Sequence, residues 1–135
     1  MSEHCVFCQI CEGTAPGHVV DQDEHTVAFL DINPFTRGHT LVVPRQHHED
    51  LWDVPQDVWQ HVSRMTHRVA QRLRDRLDPD GMNLFQATKS IAWQTVFHIH
   101  VHVIPRYDDD TMGIPTWPKP HAPDEELAQV LDELS

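Results

Sequence analysis

Three imidazoles at alternate positions carry most of the chemistry written in this chain: His98-Ile99-His100-Val101-His102. In extended backbone, successive side chains point to opposite faces, so these three share one face, with neighbours about 6–7 Å apart. Phe97, Ile99, Val101 and Val103 take the other face, which is wholly apolar and must pack on a core. A histidine face backed in that way is held rigidly. Imidazole has an ordinary pKa of about 6.5, so a neutral ring nitrogen is available at physiological pH. Such a nitrogen can attack phosphorus and give a phospho-imidazole that water cleaves. Adjacent imidazoles can supply the proton a leaving group needs. His100, flanked on both sides, is the expected nucleophile. The same residues also admit two other readings: surface histidines on an edge strand, or shared ligands of a catalytic metal.

The elements that must position this face follow from periodicity and breakers. A short helical segment is expected over residues 4–13, with Val6, Phe7 and Ile10 on one face and Gly13 at its end. Val19-Val20 opens a strand, residues 21–24 form a polar turn, and Thr26–Leu30 returns as a second strand. Residues 32–38 form a loop, and His39–Val43 is a third strand closed by Pro44. Pro55 starts a long helix in which Val58, Val62, Met65, Val69, Leu73 and Leu77 form one buried stripe. Met82–Ala87 and Phe97–Ile104 supply two further strands. Pro115, Pro118, Pro120 and Pro123 make a stiff tail segment, followed by an acidic helix with Leu127, Val130, Leu131 and Leu134 as its apolar stripe. The expected fold is α+β: a five-stranded antiparallel sheet with one long helix and a short N-terminal helix. Residues 1–110 form the domain and residues 111–135 the Pro-rich tail.

Phe97-His98-Ile99-His100-Val101-His102-Val103-Ile104 resembles the signature strand of the histidine triad (HIT) family. Phe29-Leu30-Asp31-Ile32-Asn33-Pro34, Gly38-His39-Thr40-Leu41-Val42-Val43-Pro44 and the pair Gln94-Thr95 resemble other family segments in the same order, from about residue 5 to 107. The resemblance implies a nucleotide hydrolase or transferase acting at an α-phosphate through a covalent nucleotidyl-histidine. By position His100 would be the nucleophile, and His102 would contact the phosphate and the leaving group. Gln94 and Thr95 would lie at the phosphate, with Thr95 donating a hydrogen bond. Phe7, Ile10 and Ile32 would line the base, and Asp31 would bond the ribose. His39 would sit behind the triad and orient a ring. Phe7 and Ile10 also read as ordinary core, and Asp31 as a turn residue. The resemblance further implies a two-fold homodimer, with the long helix and an edge strand at the interface. A purine nucleoside phosphoramidase is the first reading; a dinucleoside polyphosphate hydrolase, or a nucleotide-binding and sensing module with little turnover, are the others.

Cys5, Cys8 and Cys11 fall within seven residues. A disulfide across C-x-x-C would staple nothing distant, so a reducing compartment fits, and the cluster points to metal binding or incidental use. Two cysteines do not complete a tetrahedral site. Some bacterial histidine triad proteins resemble this pattern and bind zinc through two Cys and two His. Here that implies a structural zinc on Cys5, Cys8, His47 and His98, with His48 as a substitute for His47 and Cys11 as a spare. Free thiols are the alternative.

One stretch departs from the family pattern: Ala87-Thr88-Lys89-Ser90-Ile91-Ala92-Trp93-Gln94. Ala87 stands where an amide side chain is usual and Trp93 where a glycine is usual. Lys89 adds a charge that could reach phosphate, and the Trp93 ring could close one end of the cleft. Lys and Arg number 10 against 21 Asp and Glu, a formal net charge of −11. That balance repels a phosphate backbone, so nucleic acid is not an expected partner. There is no apolar run of about 18 residues and no secretory profile at the N-terminus. A soluble, cytoplasmic protein without a membrane partner is therefore expected.

Overall fold

The computed structural model describes residues 5–111 and 121–135. Helix α1 (Val6–Glu12) starts at Cys5, whose Sγ accepts the Cys8 N–H at 3.2 Å, and stops at Gly13 with φ +81°. The strands are β1 (Val19–Gln22), β2 (Thr26–Leu30), β3 (Thr40–Pro44), β4 (Gly81–Phe85) and β5 (Val101–Arg106). They form one sheet in the order β1-β2-β3-β5-β4, with every neighbouring pair antiparallel. Helix α2 (Gln56–Leu77) carries the periodic stripe, and α3 (Asp124–Glu133) lies in the tail. This is the α+β architecture expected from the pattern.

Alternation along the strands builds two cores. Ala28, Val42, Val101 and Val103 pack on Val62, Met65, Val69 and Leu73 of α2. Val27, Phe29, Leu41 and Val43 face the other way and pack with Cys5, Phe7 and Cys8 at α1. Central strand β3 is therefore buried along its whole length. Gly38 (φ +92°) precedes it, and a Cβ there would fall 2.5 Å from Leu77 Cδ1. Only glycine lets this loop run so close to the end of α2.

Several boundaries differ from the periodic reading. Asp21 and Gln22 belong to β1, and the turn is made by the Asp23 carboxylate, which accepts from the amides of His25 and Thr26 and from the Thr26 hydroxyl. Strand β4 ends at Phe85. Strand β5 starts at Val101 rather than Phe97, since its ladder with β3 begins at the Val101–Val42 pair. Upstream of that pair, the Ile99 amide bonds the His48 carbonyl at 2.8 Å. The Pro44 carbonyl, at the end of β3, meets the His98 ring.

The expected acidic helix forms as α3, but Leu127, Val130, Leu131 and Leu134 are all exposed. Pro115, Pro118 and Pro120 lie outside the described residues. Among the described residues, no helix is long and apolar enough to cross a membrane.

Asp21 ties β1 to α2. It meets Arg68 Nε at 2.8 Å and Arg72 Nη2 at 3.2 Å. Burial works against its charge, but the Arg68 bonds, the Gln22 amide and the two guanidinium charges outweigh burial and hold the carboxyl below its ordinary value. A carboxyl lowered in the folded state stabilises fully above its unfolded pKa, and that gain is lost as pH falls through the folded value. Asp21→Asn is expected to cost about 1 kcal/mol in urea unfolding at pH 7. The gap to the unaltered chain should close as pH falls through the lowered value of the folded carboxyl. A gap that persisted there would mean that charge is not its source.

Candidate active site and metal cluster

Four donor atoms converge where α1 meets the end of β3. Sγ of Cys5 and Sγ of Cys8 lie 3.2 and 3.4 Å from His98 Nδ1, and Cys8 Sγ lies 3.4 Å from His47 Nδ1. All four ligand atoms are within 4.8 Å of one another. His98 Nε2 stands 2.8 Å from the Pro44 carbonyl, which can only accept, so the ring proton is on Nε2 and the Nδ1 lone pair faces both sulfurs. A single lone pair aimed at two buried thiols suits a cation shared between them. Metal–sulfur distances of about 2.3 Å and metal–nitrogen distances of about 2.0–2.1 Å would put S and N about 3.5 Å apart in a tetrahedron. The observed spacings fit that donor set. Without a cation, burial first, and then the neighbouring Cys5, push the Cys8 thiol up to about 12. His48 does not join the cluster; its Nε2 meets Gln46 Oε1. Cys11 turns its sulfur toward the Pro44 carbonyl.

The triad shares its first histidine, His98, with this cluster. His100 is buried, and its Nδ1 is 2.8 Å from the His98 carbonyl. The carbonyl accepts, so Nδ1 carries the proton and the lone pair is on Nε2. The Phe7 ring meets the His100 ring edge-on, with centroids 5.0 Å apart. Phe7 thus belongs both to the core and to the wall of the triad. His102, on β5, is held differently. The Phe35 amide donates to His39 Nδ1 at 3.1 Å, leaving the His39 proton on Nε2. That proton reaches His102 Nδ1 at 2.9 Å, so neutral His102 carries its own proton on Nε2. Asp31 Oδ2 lies 3.5 Å from His39 Nε2. Asp31, His39 and His102 also sit close enough to suggest a metal cage. Both His39 nitrogens are engaged in hydrogen bonds, however, which makes a bonded chain from the Phe35 amide through His39 to His102, with Asp31 alongside. Burial lowers all four rings of the region: His98 and His102 fall to about 4, and His39 and His100 also fall below the ordinary value. Neutral rings result at pH 7.

A histidine triad leading into β5, with this order of elements, matches the HIT domain family over residues 12–109. The chain belongs to the HIT family. It is 38% identical to Protein hit of Bacillus subtilis over 123 residues, covering 91% of this chain and 84% of that one. A zinc-bound histidine triad family protein from Mycobacterium smegmatis has a similar crystal structure, with 40% identity, full coverage of both chains and a TM-score of 0.80. A histidine triad nucleotide-binding protein from Candida albicans is 29% identical, with 96% of this chain and 94% of that one covered and a TM-score of 0.86.

Within this HIT domain, the remaining expected site residues are placed unevenly. Asp31 lies beside His39 and His102, with Oδ1 accepting the Asn33 amide. Ile10 packs against the α1 core, and Ile32 is 85% exposed. Thr95 is exposed. Gln94 is buried, and its amide is used inside its own loop: Oε1 accepts the Lys89 amide at 2.8 Å, and Nε2 donates to the Glu49 and Val96 carbonyls. Lys89 is also spoken for. Its Nζ lies 2.7 Å from Glu49 Oε2 and 3.0 Å from Asp50 Oδ2, and Asp50 is buried. The charge that the sequence offers to phosphate is neutralised where it stands. Nothing in the local spacing of Asp50, Glu49 and Phe85 marks them in the sequence. They act only through residues about forty positions away, or across the sheet.

Proposed function

We propose that this chain is a nucleotide hydrolase or transferase that cleaves at the α-phosphate of a purine nucleotide. The substrate class is an AMP conjugate such as a nucleoside phosphoramidate. The observation that carries this reading is the bond from His100 Nδ1–H to the His98 carbonyl, which commits the opposite nitrogen, Nε2, to a free lone pair. Attack by Nε2 on the α-phosphorus forms a P–N bond to the ring and breaks the bond to the leaving amine. His102 Nε2–H faces the departing group and gives it a proton; the cation formed on His100 balances the charge left behind. Water then attacks the same phosphorus, returns a proton to His102 and releases His100. Thr95 and nearby backbone amides would hold the phosphate oxygens. Phe7, Ile10 and Ile32 would line the base, and Asp31 would take the ribose hydroxyls.

Cys5, Cys8, His47 and His98 would hold a structural zinc, whose role is to pin α1 to the end of β3. Free cysteines fit a reducing, cytoplasmic setting. The outer edge of β4, unpaired among the described residues, with Leu84 58% exposed beside the α2 groove, supports a homodimer built on that edge.

Three outcomes follow. His100→Ala should reduce turnover of adenosine phosphoramidate by at least about 10³-fold, and mass spectrometry of the unaltered protein with a slow substrate should find AMP on His100. Turnover at the normal rate in the variant would overturn the assignment. Elemental analysis should find one zinc per chain, lost in Cys8→Ser together with several degrees of melting temperature; a metal-free unaltered protein of equal stability would remove the zinc. Sedimentation should give twice the chain mass, and Leu84→Glu should return it to one.

A further inference from the structure

The loop ahead of the triad is unusual in backbone as well as in sequence. Lys89 (φ +76°) and Trp93 (φ +79°) both occupy the left-handed region without being glycine. Each is strained and persists only because the surroundings over-determine it. The restraints are visible. The amides of Ala92 and Gln94 bond the Lys89 carbonyl, the Trp93 amide bonds the Ser90 carbonyl, and the buried Gln94 side chain spans the loop. The Lys89 ammonium latches it to Glu49 and to buried Asp50. A rigid, strained loop is thus built to hold Trp93 where the residue is 75% exposed. The indole lies nearly parallel to the Phe85 ring (25°), with centroids 6.1 Å apart. Phe85 in turn is 5.6 Å from the His102 ring. The two stacked rings make an apolar platform, with the exposed indole on Phe85 and Phe85 beside the histidine assigned to the leaving group.

Charge narrows what can lie on it. Lys89 is the only cation between residues 85 and 95, and it is neutralised by two carboxylates. The chain as a whole carries a formal charge of −11. A polyphosphate leaving group would bring several negative charges to a loop whose one cation is already paired. An amine brings none.

Resting on the phosphoramidase reading above, we propose that the Trp93–Phe85 platform is a leaving-group subsite for an aromatic amine, stacked on the indole as it departs from phosphorus. It makes the enzyme selective for AMP amidates of arylalkyl amines over aliphatic ones and over dinucleoside polyphosphates.

The test compares kcat/KM for the phenethylamine and methylamine amidates of AMP, with a dinucleoside polyphosphate as the third substrate. Stacking on an aromatic side chain contributes about tenfold, so the unaltered chain should prefer the phenethylamine amidate by about that factor. Trp93→Ala should collapse the ratio to near one, whereas Trp93→Phe should keep most of it. Alanine at this φ is no more strained than tryptophan, and the site is exposed, so the loop has no new reason to rearrange. An unchanged ratio in Trp93→Ala overturns the proposal while leaving His100 catalysis intact. Polyphosphate cleaved as fast as the aromatic amidate overturns it also. A loss of dimer in Trp93→Ala, seen by sedimentation, would assign the platform to a second copy of the chain instead. No turnover of any amidate by the unaltered protein would remove the underlying reading and the subsite with it.

Discussion

Most of this site depends on one buried residue used twice. The His98 ring joins the cysteines of α1 to the last carbonyl of β3, while the His98 backbone carbonyl holds the ring of His100. A ring fixed at one nitrogen has a defined lone pair at the other, and its orientation costs nothing further at the moment of reaction. The three histidines therefore do not form a symmetrical set. His98 is structural in its side chain and positioning in its backbone. His100 presents a free nitrogen. His102 presents a proton, because the chain from the Phe35 amide through His39 leaves it no other arrangement.

Burial is what makes such a division possible. In water each imidazole would exchange tautomers and titrate near neutrality. Here α1 closes over the histidine side of the sheet, and desolvation keeps the rings uncharged. The short N-terminal helix, held by seven residues and a cysteine cap, is too small to be stable alone. Its packing through Phe7 and its link to the His47–His98 pair compensate, which places the most weakly formed element directly over the reactive one.

The sequence was most legible where function and structure share a local period. The 3–4 spacing of α2 is a property of neighbours and survives in the fold, as does the burial of Ile99, Val101 and Val103. Phe97, expected to pack on the core with them, is exposed because the strand starts only at Val101. The Cys-x-x-Cys spacing is local too, and it points to the cluster that forms. What could not be read were relations between distant segments. The start of β5 is decided by where β3 begins to pair with it, not by the residues of β5. Alternation also implied one covered and one open face, whereas α1 buries His98 and His100 as fully as their apolar neighbours. Lys89 illustrates the same gap. Its sequence context offers a free charge, and only the fold brings Glu49 and Asp50 to neutralise it. Gln94, which reads as a phosphate contact, is spent on holding the loop.

The left-handed backbone at Trp93 has a consequence for how this site can change over generations. Tryptophan has a single codon, and one base substitution converts it to a glycine codon. Glycine is the residue that this φ favours most, so that mutation relieves strain while removing the largest exposed side chain beside the triad. The step is therefore short in the genetic code and downhill in backbone energy. A chain with tryptophan here forgoes that relief and keeps an aromatic ring against Phe85 at the cost of a strained backbone.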